Sequence, residues 1–120
     1  MKVALSALGP SLDDKVDERF GRAALFLVVD DETLAFDVVD NSSNRNALQG
    51  AGLGAAEAIA QCGAISVVTG HLGPKAFRAL ELAGIAGFCG GGMLVREAVV
   101  ALKQGRLPRL DEGEAHAGIS

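Results

Sequence analysis

Residue types that bind soft metal ions follow two of the predicted strands. His71 comes just after the β-branched segment that ends at Thr69, and Cys89 follows the apolar segment 85–88. An imidazole and a thiol suit a soft metal, and the adjacent Gly90, Gly91 and Gly92 let a bulky ligand approach the backbone closely. This combination favours an anionic metal–sulfur cluster over a bare divalent ion.

The positions of these residues predict that they share one edge of a sheet. In an open α/β sheet, ligands bind beyond the carboxyl ends of the parallel strands. The strands that end before His71 and Cys89 are predicted to be parallel, so both residues are expected on the same rim, beside loop 10–19. Helices predicted to begin at Pro74 and near Met93 would direct their N-termini at this rim. Free N–H groups and the positive end of the helix dipole favour an anion there.

Each of these residues also has a purely structural interpretation. Cys89 can be a small buried hydrophobe, His71 can cap a helix or bond to a loop, and Met93 can belong to the core. The glycine triplet can reflect tight packing of a helix on a strand. It lacks the G-x-G-x-x-G spacing of a dinucleotide site, and no G-x-x-x-x-G-K-[ST] sequence occurs in the chain. The sequence leaves both interpretations open.

No catalytic arrangement emerges from the remaining polar residues. The acidic run 13–18 falls on a predicted loop, which is typical of a solvated surface, and Ser6 and Ser66 have no identifiable base. The chain has two histidines and two cysteines, which form a closed zinc site only if all of them converge. The tail position of His116 and the helical position of Cys62 argue against this. A cluster held by four thiolates exceeds the cysteine count, and we expect no enzymatic activity.

Hydrophobic periodicity and turn residues predict the element order β-β-β-α-β-α-β-α. Consecutive βα units require parallel strands joined by right-handed crossovers. The expected fold class is therefore α/β, with a mixed five-stranded sheet, strand 2 antiparallel to the rest, flanked by helices in three layers. The predicted domain covers residues 1–107, followed by a flexible acidic tail at 108–120. The predicted strands are 2–8, 25–29, 34–39, 65–69 and 85–88, the predicted helices are 48–62, 74–84 and 93–104, and 41–46 is predicted as a loop and capping cluster.

Bulk composition excludes several classes of function. The chain of 120 residues carries a formal net charge of −4 and contains no Trp or Tyr. It therefore lacks both the positive charge that attracts nucleic acid or anionic membranes and the aromatic platforms that stack bases. Its longest apolar run, residues 23–29, is too short to span a bilayer, and the first residues lack the pattern of a secretory leader. Together with unpaired thiols, this composition predicts a cytoplasmic protein.

Several segments occur in the order found in one protein family. They are F-G-R-A at 20–23, G-A-G at 50–52, T-G-H-L-G-P-K-A-F at 69–77 and G-G-G at 90–92. With these segments the chain resembles the dinitrogenase iron–molybdenum cofactor biosynthesis family, of the NifX, NafY, NifB C-terminal domain and orange-protein type. The resemblance covers residues 1–107, and its most specific part is the stretch at 69–77.

The resemblance implies a ribonuclease-H-like fold and transient, non-catalytic binding of a molybdenum-containing or iron–sulfur cluster. The sequence departs from the family pattern at His71, where many relatives have asparagine, and at Cys89, where the strand commonly ends without a thiol. Both departures add affinity for metal. The positions that the resemblance implies for binding are Phe20, Gly21, Arg22, Gly70, His71, Gly73, Pro74, Gly90 and Gly92.

The leading functional hypothesis is a carrier for an anionic metal–sulfur cluster of the Fe–Mo, Mo–Cu or Fe–S kind. His71 and Cys89 would be metal ligands, while Arg22, Met93 and the glycine N–H groups would surround the cluster as it passes between donor and acceptor proteins. One alternative is a regulatory module that binds phosphate or a small molecule at the same helix N-termini without metal. Another is an interaction domain whose tail, residues 111–114, docks a partner. The sequence names neither the metal, nor the partner proteins, nor the oligomeric state.

Overall fold

A six-stranded sheet in the order β3-β2-β1-β4-β5-β6 organises the molecule. The computed structural model describes residues 1–110. Strands β1, β3, β4 and β5 run parallel to one another, whereas β2 and β6 run antiparallel to their neighbours. The strands are Lys2–Ala7 (β1), Leu25–Asp30 (β2), Phe36–Asp40 (β3), Ser66–Thr69 (β4), Ala86–Cys89 (β5) and Arg109–Leu110 (β6).

Helices cover both faces of this sheet, which confirms the predicted three-layer α/β arrangement. The helices are Ser42–Arg45 (α1), Ala51–Gln61 (α2), Pro74–Leu82 (α3) and Val95–Lys103 (α4). Helices α2 and α3 pack on one face through small and aliphatic residues such as Ala55, Ile59 and Leu80. Helix α4 packs on the other face through Val95 and Val99. Since β1 lies between these layers, its residues from Val3 to Ala7 are buried on both sides.

The sheet differs from the predicted one at its edge, because it has a sixth strand. Arg109 pairs with Phe88 and Leu110 with Gly87, antiparallel to β5. Leu110 is buried, and its side chain packs beside Gly87. The prediction of five strands with only strand 2 antiparallel was therefore wrong in both respects, since two residues are too few to show a periodicity. The ribonuclease-H-like assignment stays a prediction.

The sheet thus continues past the predicted end of the domain at residue 107. The acidic residues at 111–114 and His116 lie outside the described residues. The short helix α1, within the segment predicted as a loop and capping cluster, is a single turn that leaves no periodic signal. Within residues 1–110, no helix is long and apolar enough to cross a membrane.

Strand direction decides which helix ends meet. Strand β3 leads through α1 into α2, and β4 leads into α3. Because β3 and β4 run in the same direction, α2 and α3 both begin at the carboxyl edge of the sheet and run back side by side. The two helices approach closely near their starts, where a Cβ on Gly52 would lie 3.1 Å from the Cβ of Ala76.

Candidate binding cleft

An open cleft of about 700 Å³ lies at the carboxyl edge of the sheet, above the starts of α2 and α3. The loop after β1 contributes Phe20, Gly21 and Arg22, and the loop after β4 contributes His71 and Gly73. Phe20 is buried and packs against the ring of Phe26, with centroids 5.3 Å apart. The remaining lining residues are Arg19, Gln49, Gly50, Ala51, Gly52, Leu53, Pro74, Lys75 and Ala76.

Both helices present uncapped N-termini to this cleft. The residue before α2 is Gly50, in the left-handed region at φ 76°, and the residue before α3 is Gly73, at φ −69° and ψ 163°. Neither helix start receives a side-chain hydrogen bond. The first N–H groups of a helix have no intrahelical acceptor, so they are satisfied by caps, water or a ligand.

The unused donors can be identified from the hydrogen-bond pattern. The first intrahelical bonds run from Gly54 N to Gly50 O and from Phe77 N to Gly73 O. Within residues 1–110, the amides that precede these donors have no protein acceptor. They belong to Ala51, Gly52 and Leu53 in α2 and to Lys75 and Ala76 in α3. The cleft therefore combines free N–H groups with the positive ends of two helix dipoles.

The charged side chains that line the cleft are all basic. They are Arg19, Arg22 and Lys75, and no carboxylate is among the lining residues that the structure describes. Arg19 is partly neutralised, because its Nε and Nη2 donate to the carboxylate of Asp17 at 3.2 Å. This pairing raises the pKa of Arg19 above its ordinary value through the hydrogen bonds and the Coulombic attraction. In a protein with a net charge of −4, the cleft is therefore a local concentration of positive charge.

Arg22 also holds the far wall of the cleft. Its Nη1 donates to the carbonyl oxygens of Arg45 at 2.7 Å and Ala47 at 2.6 Å. Arg45 ends α1, and Ala47 lies in the segment that leads from α1 to Gly50. The side chain therefore contributes charge and fixes the backbone that positions the start of α2.

Gly21 brings the first loop against the start of α2. A Cβ at this position would lie 2.5 Å from the amide nitrogen of Gly52 and 2.8 Å from the carbonyl carbon of Ala51. Real Cβ atoms essentially never approach backbone atoms so closely. Only glycine therefore permits the observed contact.

We expect Gly21→Ala to lower the free energy of unfolding by about 1–3 kcal/mol, the usual cost of overpacking. Urea unfolding followed by circular dichroism measures this. The matched control is Gly73→Ala, since a Cβ there has no atom within 4 Å and the backbone angles suit any residue. The control should lose no more than about 1 kcal/mol, and equal losses in the two variants would show that the Gly21 contact is not restrictive.

The predicted glycine-rich part of the site lies apart from this cleft and is already occupied by protein groups. Gly90 N donates to Thr69 O, and Gly92 N donates to Val16 O. The carboxylate of Glu18 lies across the turn, so that a Cβ on Gly91 would meet it. Gly70 is required for a similar reason, because the backbone of Glu18 passes within 2.5 Å of the position of its Cβ.

The N-terminus of α4, which was expected to face the same rim, has its first two N–H groups bonded to loop carbonyls. Val95 N donates to Asp14 O and Arg96 N donates to Leu12 O, both at 2.9 Å. Met93 is partly buried against the core on the α4 side of the sheet, and its carbonyl accepts from Val16 N. This helix start is therefore not available to an anion in the way that α2 and α3 are.

Cys89 ends β5 and His71 follows the end of β4, but the two residues face different surroundings. Cys89 pairs with Thr69 across β4 and β5, and its thiol donates to Gly70 O at 3.5 Å. Its side chain packs against the core under α2 and α3 and does not line the cleft. His71 lines the cleft, and its backbone N–H donates to Glu18 O.

Ser6, for which the sequence offers no identifiable base, belongs to a buried polar network behind the cleft. Ser6 Oγ is 2.8 Å from Thr69 Oγ1 and donates to Asp17 O at 2.9 Å. Ser6, Thr69 and Asp17 are all buried. These bonds tie β1 and β4 to the loop that carries Arg19 and Phe20, which is a structural role.

Metal ligands of the protein itself are few. Across residues 1–110, no three or more His, Cys, Asp or Glu side chains gather where they could hold a metal ion. A metal ion held in the cleft would need most of its ligands from outside the protein residues that the structure describes. The donor set, with N–H groups and cations, suits a phosphate.

The segment that sequence reasoning missed is the start of α2. The segment 50–52 carries part of the family resemblance but is not among the predicted site residues, and neither are Arg19 and Lys75. The available signal was the pair of glycines around Ala51, without a Ser, Thr, Asp or Asn cap before the helix. The predicted antiparallel second strand already implies that β3 runs parallel to β4, so that α2 and α3 begin at the same edge of the sheet.

Comparisons with known proteins agree with one another. Residues 1–105 match the family model described as dinitrogenase iron-molybdenum cofactor. The structure of the apo form of the orange protein from Desulfovibrio gigas is similar, with a TM-score of 0.87 and 46% identity over 90% of this chain and 91% of that one. The NMR structure of a Thermotoga protein assigned to NifB has a TM-score of 0.77 and 30% identity over 90% and 91% of the two chains. An uncharacterised protein of Methanocaldococcus jannaschii is 25% identical over 114 residues, 92% of each chain.

Proposed function

Since this chain belongs to the dinitrogenase iron–molybdenum cofactor family, we propose that it binds and carries an anionic metal–sulfur cluster without transforming it. The observation that carries this proposal is the cleft itself. Free amides at the starts of α2 and α3 and the side chains of Arg19, Arg22 and Lys75 converge there, with no carboxylate among the described lining residues.

The cluster would be held mainly by charge and hydrogen bonds. Sulfide ligands of a cluster accept hydrogen bonds from backbone N–H groups, and the positive ends of both helices stabilise its negative charge. His71 is the side chain in the cleft best suited to bind a soft metal or to donate to a sulfide. Cys89 would hold Gly70 in place, so that in this proposal it does not ligate metal directly.

A carrier must release its cargo, and the geometry supports this requirement. The cleft is open to solvent, and one imidazole is a weak anchor compared with a closed set of protein ligands. The proposed cycle is uptake from a donor protein and delivery to an acceptor protein. The cluster type, of the Fe–Mo, Mo–Cu or Fe–S kind, would be selected by size and charge in the cleft.

The test is anaerobic reconstitution with tetrathiomolybdate and Cu(I), and separately with ferrous iron and sulfide, followed by gel filtration. We expect metal and a visible charge-transfer band to elute with the protein from at least one of these mixtures. His71→Ala should weaken retention about tenfold or more, whereas Cys89→Ala should retain the band. Loss of the band in Cys89→Ala with full retention in His71→Ala would contradict the assignment of these two residues.

A second candidate function uses the same amides. Helix N-termini bind phosphate as readily as other anions, so the cleft also fits a phosphorylated small molecule. Isothermal titration with nucleotides and inorganic phosphate in the presence of a chelator distinguishes the two. Micromolar binding of a phosphate compound, with no retention of any cluster, would favour a regulatory module over a carrier.

A further inference from the structure

An apolar groove runs from the cleft along the outer surfaces of α2 and α3. Its lining residues are Leu53, Pro74, Lys75, Arg78, Ala79 and Leu82. Leu53, Pro74 and Lys75 also line the cleft, so the two depressions form one continuous surface. On α3, Lys75, Arg78, Ala79 and Leu82 share one face through i, i+3 and i+4 spacing.

The groove exposes apolar side chains that a helical surface normally buries. Leu82 is 82% exposed and Leu53 is 43% exposed. Leu48, on the segment that leads to the cleft, is 97% exposed. Single exposed leucines are ordinary, but exposed leucines arranged along one groove mark an interaction surface.

The charges beside the groove indicate the chemistry of its partner. Lys75 and Arg78 form no ion pair within the described part of the chain. The groove lining contains no carboxylate; Glu57, one turn beyond Leu53 on α2, is the nearest acidic residue on that helix and lies outside it. In a protein with a net charge of −4, a basic rim along an apolar groove complements an acidic amphipathic segment.

We propose that this groove docks an acidic amphipathic helix of the protein that delivers or receives the cargo. Apolar side chains of that helix would cover Leu53 and Leu82, while its carboxylates would pair with Lys75 and Arg78. Docking there would place the partner directly at the mouth of the cleft, because the groove and the cleft share the start of α3. This inference rests on the proposed carrier function and identifies the surface through which transfer takes place.

The probe is a fluorescein-labelled synthetic helix with leucine at positions i, i+3, i+4 and i+7 and glutamate at its flanking positions. We expect saturable binding by fluorescence anisotropy, and no binding of the same peptide with lysine in place of glutamate. Arg78→Glu and Leu82→Glu should each weaken binding about tenfold or more, since each opposes the charge or the apolar contact. The matched control is Val100→Glu, which places the same charge on the exposed face of α4, on the opposite side of the sheet, and should have no effect.

Several results would overturn the docking proposal. One is equal binding of the glutamate and lysine peptides, or binding that both groove variants retain. Another is a dimer in sedimentation equilibrium that Leu82→Glu dissociates, because a second copy would then cover the groove. A tenfold tighter peptide complex after truncation beyond Leu110 would indicate that the groove is covered by the chain's own acidic segment.

The same variants separate this proposal from the carrier function. Arg78 and Leu82 do not line the cleft, so Arg78→Glu and Leu82→Glu should retain a reconstituted cluster as the unmodified chain does. Peptide binding without cluster retention would contradict only the carrier function. Cluster retention without specific peptide binding would contradict only the docking surface.

Discussion

Replacing Gly73 by aspartate should strongly weaken anion binding while leaving the protein at least as stable as before. Gly73 precedes α3 with the extended backbone angles of an N-cap residue, and a Cβ at this position meets no atom within 4 Å. Aspartate is a preferred N-cap residue whose carboxylate accepts from the first amides and complements the dipole. The free energy of unfolding should therefore stay unchanged or rise by about 0.3–1 kcal/mol.

The same carboxylate interferes with anion binding in two ways. It would take the free amides of α3 and place a negative charge in the cleft. At an effective dielectric constant of about 20, two unit charges about 4 Å apart repel by about 4 kcal/mol. Because about 1.4 kcal/mol corresponds to a factor of ten, cluster affinity should fall at least about 100-fold.

Gly73→Asn is the matched control, since it has the same shape and also caps the helix but adds no charge. It should lose distinctly less affinity than Gly73→Asp in an anaerobic spectroscopic titration with the reconstituted cluster. If Gly73→Asp bound the cluster as tightly as the unmodified chain, the start of α3 would not be part of the site. Lower affinity together with equal or higher stability in Gly73→Asp would show that the start of α3 stays uncapped for ligand binding, although a capping residue would stabilise the protein.

Arg22 should show the second largest effect, because it contributes both charge and position. Its Nη1 bridges the carbonyls of Arg45 and Ala47 and so holds the segment leading to α2. Arg22→Gln removes the charge and the bridge together, and we expect cluster affinity to fall about 10–100-fold, from the loss of one charge-assisted interaction and the loosened cleft wall.

Two further variants separate these contributions. Arg22→Lys keeps the charge, but its side chain is one bond shorter, so its nitrogen falls short of the position from which Nη1 bridges both carbonyls. Lys75→Gln removes a charge without touching the segment. Amide hydrogen exchange at residues 45–50 should speed up in Arg22→Lys and Arg22→Gln and stay unchanged in Lys75→Gln. Unchanged exchange in all three would show that the bridge does not position the cleft wall.

Much of the scaffold could be predicted because its signals are local. The alternation and β-branched content of β1, β2 and β4 and the proline at the start of α3 are properties of short segments. The parallel direction of β4 and β5 followed from the helix between them. These elements place His71 at the carboxyl edge and direct the start of α3 there, as expected.

The composition of the site depends on contacts between distant segments, which periodicity does not reveal. Gly90 and Gly92 were expected to offer donors, but carbonyls of Thr69 and Val16 already accept from them. Likewise, Cys89 is predicted as a metal ligand or a small buried hydrophobe, and periodicity does not reveal that its thiol donates to the carbonyl oxygen of Gly70. The start of α2 lines the cleft together with the first loop because Gly21 lets that loop approach Ala51 and Gly52 closely.

We infer that an anion binds at the joined starts of α2 and α3, and the amide chemical shifts of these residues report such binding residue by residue. Two-dimensional 15N NMR spectra would be recorded during titration with tetrathiomolybdate and Cu(I) under anaerobic conditions. The largest shifts are predicted at Ala51, Gly52, Lys75 and Ala76, with small shifts at the turn 90–92. Large shifts confined to that turn, with unchanged amide shifts at the starts of α2 and α3, would show that the anion does not bind at these helix starts.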